Sequence, residues 1–186
     1  MRIINKTFKN GIYNTLISAV FVAFMVVCAW ITLPFGLVPI TLQTFAVFTA
    51  AGLLGLKRAT VSVLVYIILG AVGLPVFNGF SGGIGVIIGP TGGYIIGLVF
   101  ISLIVGLVKD IVGNNLKSML LSMVIGLIVC YAIGTVWFVN IYSTLTGEFG
   151  IGSVLMTCVV PFILPDLIKI FVSLIIVRRI STFLKI

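Results

Sequence analysis

The chain has 186 residues, of which 61% are hydrophobic and only 8% are charged. This composition excludes a soluble domain, because a single core cannot enclose so much apolar surface. The chain carries a net charge of +8 without any histidine, so it lacks the commonest zinc ligand and the commonest general base.

A transmembrane helix needs about 20 apolar residues to cross the hydrocarbon core of a bilayer. The chain therefore has room for about six spans and no separate soluble domain. We expect an all-α integral membrane protein that forms a single six-helix membrane domain over residues 1–186. The predicted spans cover residues 12–33, 41–56, 59–74, 93–108, 116–139 and 151–177.

The first span follows three basic residues and superficially resembles a secretory signal peptide. It is too long for one, and no convincing small-residue cleavage site follows it, so we expect it to be retained. Ala19 and Ala23 lie four positions apart in this span and share one helix face. Small residues at this spacing allow a second helix to approach closely. Internal packing and an external partner are both compatible with the pattern.

Two connections between predicted spans carry no charge. Residues 34–43 contain two prolines and a glycine, and residues 75–92 contain six glycines. Irregular backbone at membrane depth must be buried in protein or line a cavity, because lipid cannot satisfy its amides. We expect residues 75–92 to fold over the outer mouth and close a pocket, with Phe77, Asn78 and Tyr94 as candidate contacts. A cap without a ligand role is the alternative.

The basic residues indicate the orientation of the chain. In a six-span alternation, ten of the eleven fall on one side, which the positive-inside tendency makes cytoplasmic. Both termini are then cytoplasmic, residues 75–92 are extracellular, and Trp30 and Trp137 lie near the outer boundary. The net charge therefore does not indicate a nucleic-acid partner. The ten residues are Arg2, Lys6, Lys9, Lys57, Arg58, Lys109, Lys117, Arg178, Arg179 and Lys185.

The eleventh basic residue, Lys169, lies inside the last span, three positions after Asp166. We expect Pro165 to begin the last helix, with both charged side chains on one face, slightly beyond the membrane midplane. Each charge at this depth costs about 2.5–3.5 kcal/mol and needs compensation. A structural ion pair would supply it. In the alternative, a ligand site, Lys169 binds an anion and Asp166 binds hydrogen-bond donors.

Other patterns in the sequence are weak. Residues 83–89 match a dinucleotide-binding turn only loosely, and residues 85–91 lack the lysine of a phosphate-binding loop. We expect no nucleotide, cofactor or metal site, so any ATP-driven step would need another subunit. Cys28, Cys130 and Cys158 lie far apart in apolar stretches, without a C-x-x-C motif, and we interpret them as packing residues.

Three stretches resemble the BioY family, the biotin-specific substrate-binding subunits of energy-coupling factor transporters. They are residues 39–43 (PITLQ), residues 73–77 continuing to 89–94 (GLPVF, GPTGGY) and residues 161–169 (PFILPDLIK). The resemblance covers nearly the whole chain. The family usually has a glycine between the last proline and the aspartate, whereas Pro165 directly precedes Asp166 here. This departure concerns the local helix start.

The resemblance implies six helices in a bacterial cytoplasmic membrane and a substrate bound near the outer face. It implies association with a transmembrane coupling subunit, which Ala19 and Ala23 would face, and with two ATPase subunits. The implied ligand is biotin, whose carboxylate suits Lys169 and whose thioether ring suits Phe77. The rest of the predicted substrate-binding set consists of Asp166, Asn78, Gln43 and Tyr94, which suit the ureido group, and Gly79.

Other classes of function fit the sequence less well. An intramembrane enzyme is disfavoured because one acid cannot form an aspartyl dyad, and no serine or cysteine has an evident base other than Lys169. A channel is disfavoured because one charged pair is sparse for a pore. A binding subunit for another small vitamin and a structural membrane subunit remain as alternatives to a biotin-binding subunit.

Overall fold

The structure, a computed structural model, describes residues 2–34, 38–146 and 151–184. Apart from its turns and loops, this part of the chain consists of helices, two short antiparallel strands, β1 (Thr32–Leu33) and β2 (Ile40–Thr41), and a 3-10 turn (Asn78–Phe80). The helices are α1 (Arg2–Trp30), α2 (Gln43–Ala71), α3 (Ile84–Ile88), α4 (Gly92–Val112), α5 (Leu116–Thr146), α6 (Ile151–Cys158) and α7 (Val160–Leu184).

Five of the described helices, α1, α2, α4, α5 and α7, contain segments long and apolar enough to cross a membrane. The prediction of a helical, multi-pass membrane protein is therefore confirmed. Helix α4 packs mainly against α5 and α2, while α1 and α7 also pack against α2. Helix α2 thus lies at the centre of the bundle.

Helix α2 folds back on itself at Gly55, where φ is +75°. Gln43 Nε2 lies 2.8 Å from the hydroxyl of Tyr66, although the two residues are 23 positions apart. In a straight helix they would be separated by about 34 Å. The two arms, residues 43–54 and 56–71, must therefore run antiparallel. They correspond to the second and third predicted spans, residues 41–56 and 59–74, but begin and end at slightly different residues.

The turn at Gly55 is held by the end of α4. Asp110 Oδ2 accepts a hydrogen bond from the backbone N–H of Leu56 at 3.0 Å, and a Cβ at Gly55 would collide with the same carboxylate. Glycine also adopts positive φ without steric cost. Asp110 lies near the end of α4, which continues to Val112, past the predicted end of its span at residue 108.

The last predicted span, residues 151–177, is interrupted between α6 and α7. Helix α7 begins at Val160, so the prediction that Pro165 begins the last helix is wrong. Pro161 occupies the first turn of α7, where a missing N–H needs no partner inside the helix. Pro165 lies inside the helix and removes one intrahelical hydrogen bond.

The glycine-rich connection is folded and tied to the bundle near both of its ends. The indole N–H of Trp30 donates to the carbonyl of Pro75 at 2.8 Å, and that of Trp137 donates to the carbonyl of Gly89 at 2.9 Å. Between them, Phe77 is fully buried, and its ring lies so close to Gly70 that a Cβ there would collide with it. The connection therefore packs against the helices as part of the folded bundle.

Candidate functional site

A cavity opens among α2, α4, α5, α6 and α7, and both uncharged connections contribute to its wall. Its lining combines an apolar surface with a group of polar side chains. The apolar and thiol-bearing residues are Val38, Pro39, Phe77, Ile95, Leu98, Cys130, Cys158 and Phe162. The polar residues are Thr41, Gln43, Thr44, Asn78, Thr91, Tyr94, Tyr131, Asp166 and Lys169.

The structure brings six of the seven predicted substrate-binding residues to this cavity. The seventh, Gly79, lies in the 3-10 turn and is not part of the described cavity lining. Its φ of +62° provides the turn that follows Asn78. Gly79 therefore shapes the backbone next to the cavity without lining it.

Asp166 and Lys169 form a buried ion pair on α7. Lys169 Nζ lies 2.7 Å from Asp166 Oδ1, and the two residues are only 3% and 7% exposed. Their spacing of three residues places both side chains on the same helix face, as the sequence predicts. The pair supplies the mutual compensation that two charges need in an apolar environment.

Two hydroxyl groups from other helices hold the Asp166 carboxylate. Thr44, on the first arm of α2, donates to Oδ1 at 2.9 Å, and Tyr131, on α5, donates to Oδ2. Lys169 Nζ also lies 3.4 Å from Thr44 Oγ1. Three donors therefore converge on one carboxylate, which is a strongly stabilising arrangement for a buried negative charge.

Sequence reasoning identified the charged pair but missed Thr44 and Tyr131. These residues lie 122 and 35 positions from Asp166, and neither stands out in its apolar segment. A usable signal was present for Thr44, which directly follows the PITLQ stretch. For Tyr131, only the packing of α5 against α7 reveals the contact.

Gln43 belongs to a second polar group. Its Nε2 donates to the hydroxyl of Tyr66 at 2.8 Å, and that hydroxyl donates to the carbonyl of Val76 at 3.1 Å. Tyr66 is fully buried, and its ring meets Phe77 edge to face at a centroid distance of 5.5 Å. Gln43 is thereby linked to the beginning of the glycine-rich connection.

Asn78 and Tyr94 add hydrogen-bonding groups to the wall. The side-chain amide of Asn78 makes no hydrogen bond to another described residue, so it is available to a ligand. The hydroxyl of Tyr94 lies 3.4 Å from Thr135 Oγ1, a long and therefore weak contact. A ligand can therefore bind either side chain without breaking a strong hydrogen bond.

The cysteines are buried and unpaired in disulfides, as their interpretation as packing residues requires. Cys28 belongs to the hydrophobic core cluster. Cys130 and Cys158 pack in the protein and also line the cavity. Their contribution to the cavity surface was not predicted, because apolar sequence context alone does not separate a core position from a pocket wall.

Ala19 and Ala23 do not belong to the described lining of this cavity and lie on the exposed surface of α1. Both are exposed, together with Leu16 and Val20 on the same helix. The interpretation as internal packing residues does not fit this exposure. Ala19 and Ala23 form a strip of small side chains on the exposed surface of α1, and small residues at this spacing allow close approach of another helix.

Comparisons with known proteins agree on one family. The sequence profile described as the BioY family matches residues 5–186. A biotin transporter BioY from Thermotoga maritima is 41% identical over 164 residues, covering 88% of this chain and 93% of the relative. A probable biotin transporter BioY from Pyrococcus horikoshii is 42% identical over 163 residues, with coverage of 88% and 93%.

A solved structure is also similar to this chain over most of its length. It is the crystal structure, at 2.1 Å, of the S-component for biotin from an ECF-type ABC transporter. The TM-score is 0.84 at 30% sequence identity, and the alignment covers 94% of this chain and 93% of the other. The structural comparison therefore agrees with the sequence comparisons.

Proposed function

This chain belongs to the BioY family, and we propose that it is the biotin-binding membrane subunit, or S-component, of an energy-coupling factor transporter. It captures biotin in the cavity and presents it for ATP-driven uptake. The observation that carries this assignment is the buried Asp166–Lys169 pair, which lies in the wall of a largely apolar cavity. Biotin combines an anion, a polar ring and an apolar body, and the cavity offers a complement to each.

Lys169 recognises the valerate carboxylate. Of its three ammonium protons, one is directed to Asp166 and one to Thr44, and no described residue accepts the third. Charge-assisted hydrogen bonds are about twice as strong as neutral ones. An incoming carboxylate therefore finds a cation that is fixed in place and still has a free donor.

The ureido ring is recognised by Asn78, Gln43, Tyr94 and Asp166. Oδ1 of Asp166 accepts from Lys169 and Thr44, whereas Oδ2 accepts from Tyr131 alone. Oδ2 therefore has capacity for one ligand N–H. Phe77 and the other apolar lining residues contact the thioether ring and the alkyl chain.

The chain crosses the membrane six times, with the two arms of α2 counted as separate spans. Arg58 Nη1 donates to Asn14 Oδ1 at 3.1 Å, which joins the turn of α2 to the early part of α1. At the opposite end of α1, Trp30 contacts Pro75. The basic residues near the α2 turn make that side cytoplasmic, with both termini, and the glycine-rich connection extracellular.

The partners are a transmembrane coupling subunit and two ATPase subunits. The strip formed by Ala19 and Ala23 is exposed on α1 and accepts a helix of the coupling subunit. ATP hydrolysis takes place on the ATPase subunits. The chain itself acts in the bacterial cytoplasmic membrane as a binding subunit and not as an enzyme.

Isothermal titration of the purified native chain tests the assignment. Biotin is expected to bind saturably, one molecule per chain, and desthiobiotin is expected to bind more weakly because it lacks the thioether ring. Binding of another vitamin without binding of biotin would support a different substrate. If no vitamin gives measurable binding, the result would support a structural membrane subunit.

A further inference from the structure

Tyr66 is a buried tyrosine that does not belong to the described lining of the cavity. Its hydroxyl nevertheless lies between a cavity residue and the connection that closes the cavity. It is bonded to Gln43 Nε2 at 2.8 Å and to the carbonyl oxygen of Val76 at 3.1 Å. This position allows Tyr66 to act on the ligand through Gln43.

The proton count of this group fixes the orientation of the Gln43 amide. A phenol has one proton, and a backbone carbonyl can only accept a hydrogen bond. Val76 is buried, and its carbonyl accepts the Tyr66 proton. The Tyr66 oxygen can then only accept from Gln43, so Gln43 must direct its N–H group towards Tyr66. A flipped amide would leave the Val76 carbonyl without this donor, which is costly for a buried group.

With Nε2 bound to Tyr66, Oε1 of Gln43 remains as a free acceptor. Among the described residues, the only buried side-chain N or O atom without a hydrogen-bond partner is Asn114 Oδ1. No described residue donates a hydrogen bond to Gln43 Oε1, so this atom would be a second such case if it were buried. Gln43 Oε1 is therefore accessible, and Gln43 lines the cavity. A fixed acceptor at this position favours a ligand that offers a hydrogen-bond donor.

We propose that Tyr66 is a positioning residue that sets substrate specificity by holding Gln43 Oε1 towards the cavity as an acceptor for a ureido N–H. This inference rests on the proposed function, since it takes biotin as the ligand. Without the Tyr66 hydroxyl, the Gln43 amide can rotate, and its donor and acceptor ends become interchangeable. Tyr66 thus contributes to recognition without touching the ligand.

A double-mutant cycle on the purified full chain separates this role from a structural one. Tyr66→Phe removes only the hydroxyl and keeps the ring packed against Phe77. Gln43→Met removes the amide at nearly constant volume. If Tyr66 acts through Gln43, Tyr66→Phe weakens biotin binding about fivefold to tenfold in the native background, as expected for one hydrogen bond. In the Gln43→Met background it has little effect, because the two residues act as a unit.

A structural role gives a different result. The bond from Tyr66 to Val76 is lost in both backgrounds, so an equal loss of biotin affinity in both would overturn the inference and assign Tyr66 to support of the connection. No loss in either background would also overturn it. If the native chain itself fails to bind biotin, the proposed function falls and the inference falls with it.

A second measurement uses ligand chemistry. Biotin methylated at its ureido nitrogens cannot donate to Gln43 Oε1. The native chain is expected to prefer biotin over this analogue, and Tyr66→Phe is expected to reduce the preference towards that of Gln43→Met. An unchanged preference in a folded Tyr66→Phe protein would contradict the inference.

Discussion

The hydroxyl of Tyr131 on α5 donates a hydrogen bond to Oδ2 of Asp166 on α7. This bond joins two helices at the cavity wall and satisfies the carboxylate oxygen that Lys169 does not contact. Because Thr44 donates to the other oxygen from α2, the carboxylate is held by three helices. The ion pair is therefore a fixed feature of the wall before any ligand arrives.

Tyr131→Phe removes one donor from a buried carboxylate and keeps the ring. We expect a loss of about 1–3 kcal/mol in stability, because a buried charged acceptor loses a partner. Thermal unfolding in detergent measures this loss. Tyr94→Phe serves as the matched control and should cost less, since its hydroxyl makes only a long contact of 3.4 Å to Thr135. Equal losses from the two variants would contradict the role given to Tyr131.

Replacement of the ion pair as a unit distinguishes a ligand site from a structural pair. The double variant Asp166→Leu with Lys169→Met should unfold at nearly the native temperature, because apolar replacement of a buried ion pair is often neutral or stabilising. It should no longer bind biotin. Binding that survives in this double variant would show that the pair is structural.

The single variant Asp166→Leu provides the comparison for that experiment. It leaves the Lys169 ammonium buried without its anion, and we expect a loss of about 3–5 kcal/mol in stability. Thermal unfolding of the single and double variants measures the difference. A single variant as stable as the double would indicate that Lys169 finds another partner or reaches water.

Gly55→Ala tests the turn that divides α2. Gly55 has a φ of +75°, and a Cβ there would collide with Asp110, so we expect a loss of about 1–3 kcal/mol from backbone strain alone. Gly11→Ala is the control, since nothing lies within 4 Å of a Cβ at that position. Native-like unfolding of Gly55→Ala would show that the two arms of α2 do not depend on this turn.

Bulky substitutions on α1 test the partner surface. Ala19→Leu with Ala23→Leu should leave biotin binding by the isolated chain unchanged, because neither alanine lines the cavity. Uptake driven by ATP in cells that produce the coupling and ATPase subunits should fall sharply. Leu121→Phe, at an exposed position on α5, is the control. Full uptake by the double variant would place the coupling subunit elsewhere.

Local sequence patterns were sufficient for much of the fold and for the ion pair. The isolated charges Asp166 and Lys169 stand three positions apart in an apolar run, so both their shared face and their need for compensation follow from helix geometry. The helix start at Pro165 was predicted wrongly, because Pro161 already fills the first turn of α7. The second proline, Pro165, lies inside the helix, where it removes one intrahelical hydrogen bond without ending the helix.

The hydrogen-bonding partners of the site could not be predicted in the same way. Tyr131 meets Asp166, and Tyr66 meets Gln43, only because helices that are distant in sequence pack side by side. In apolar membrane helices, a tyrosine facing lipid and a tyrosine facing a cavity have the same sequence surroundings. The fold of the bundle supplies the information that separates them.

The most direct measurement compares the affinity of the native chain for biotin and for biotin amide, which lacks the negative charge. If Lys169 binds the carboxylate, the amide should bind roughly 10- to 100-fold more weakly, as expected for loss of a charge-assisted hydrogen bond. The difference should largely disappear in Lys169→Met. Equal affinity of the native protein for biotin and its amide would contradict recognition of the carboxylate by Lys169.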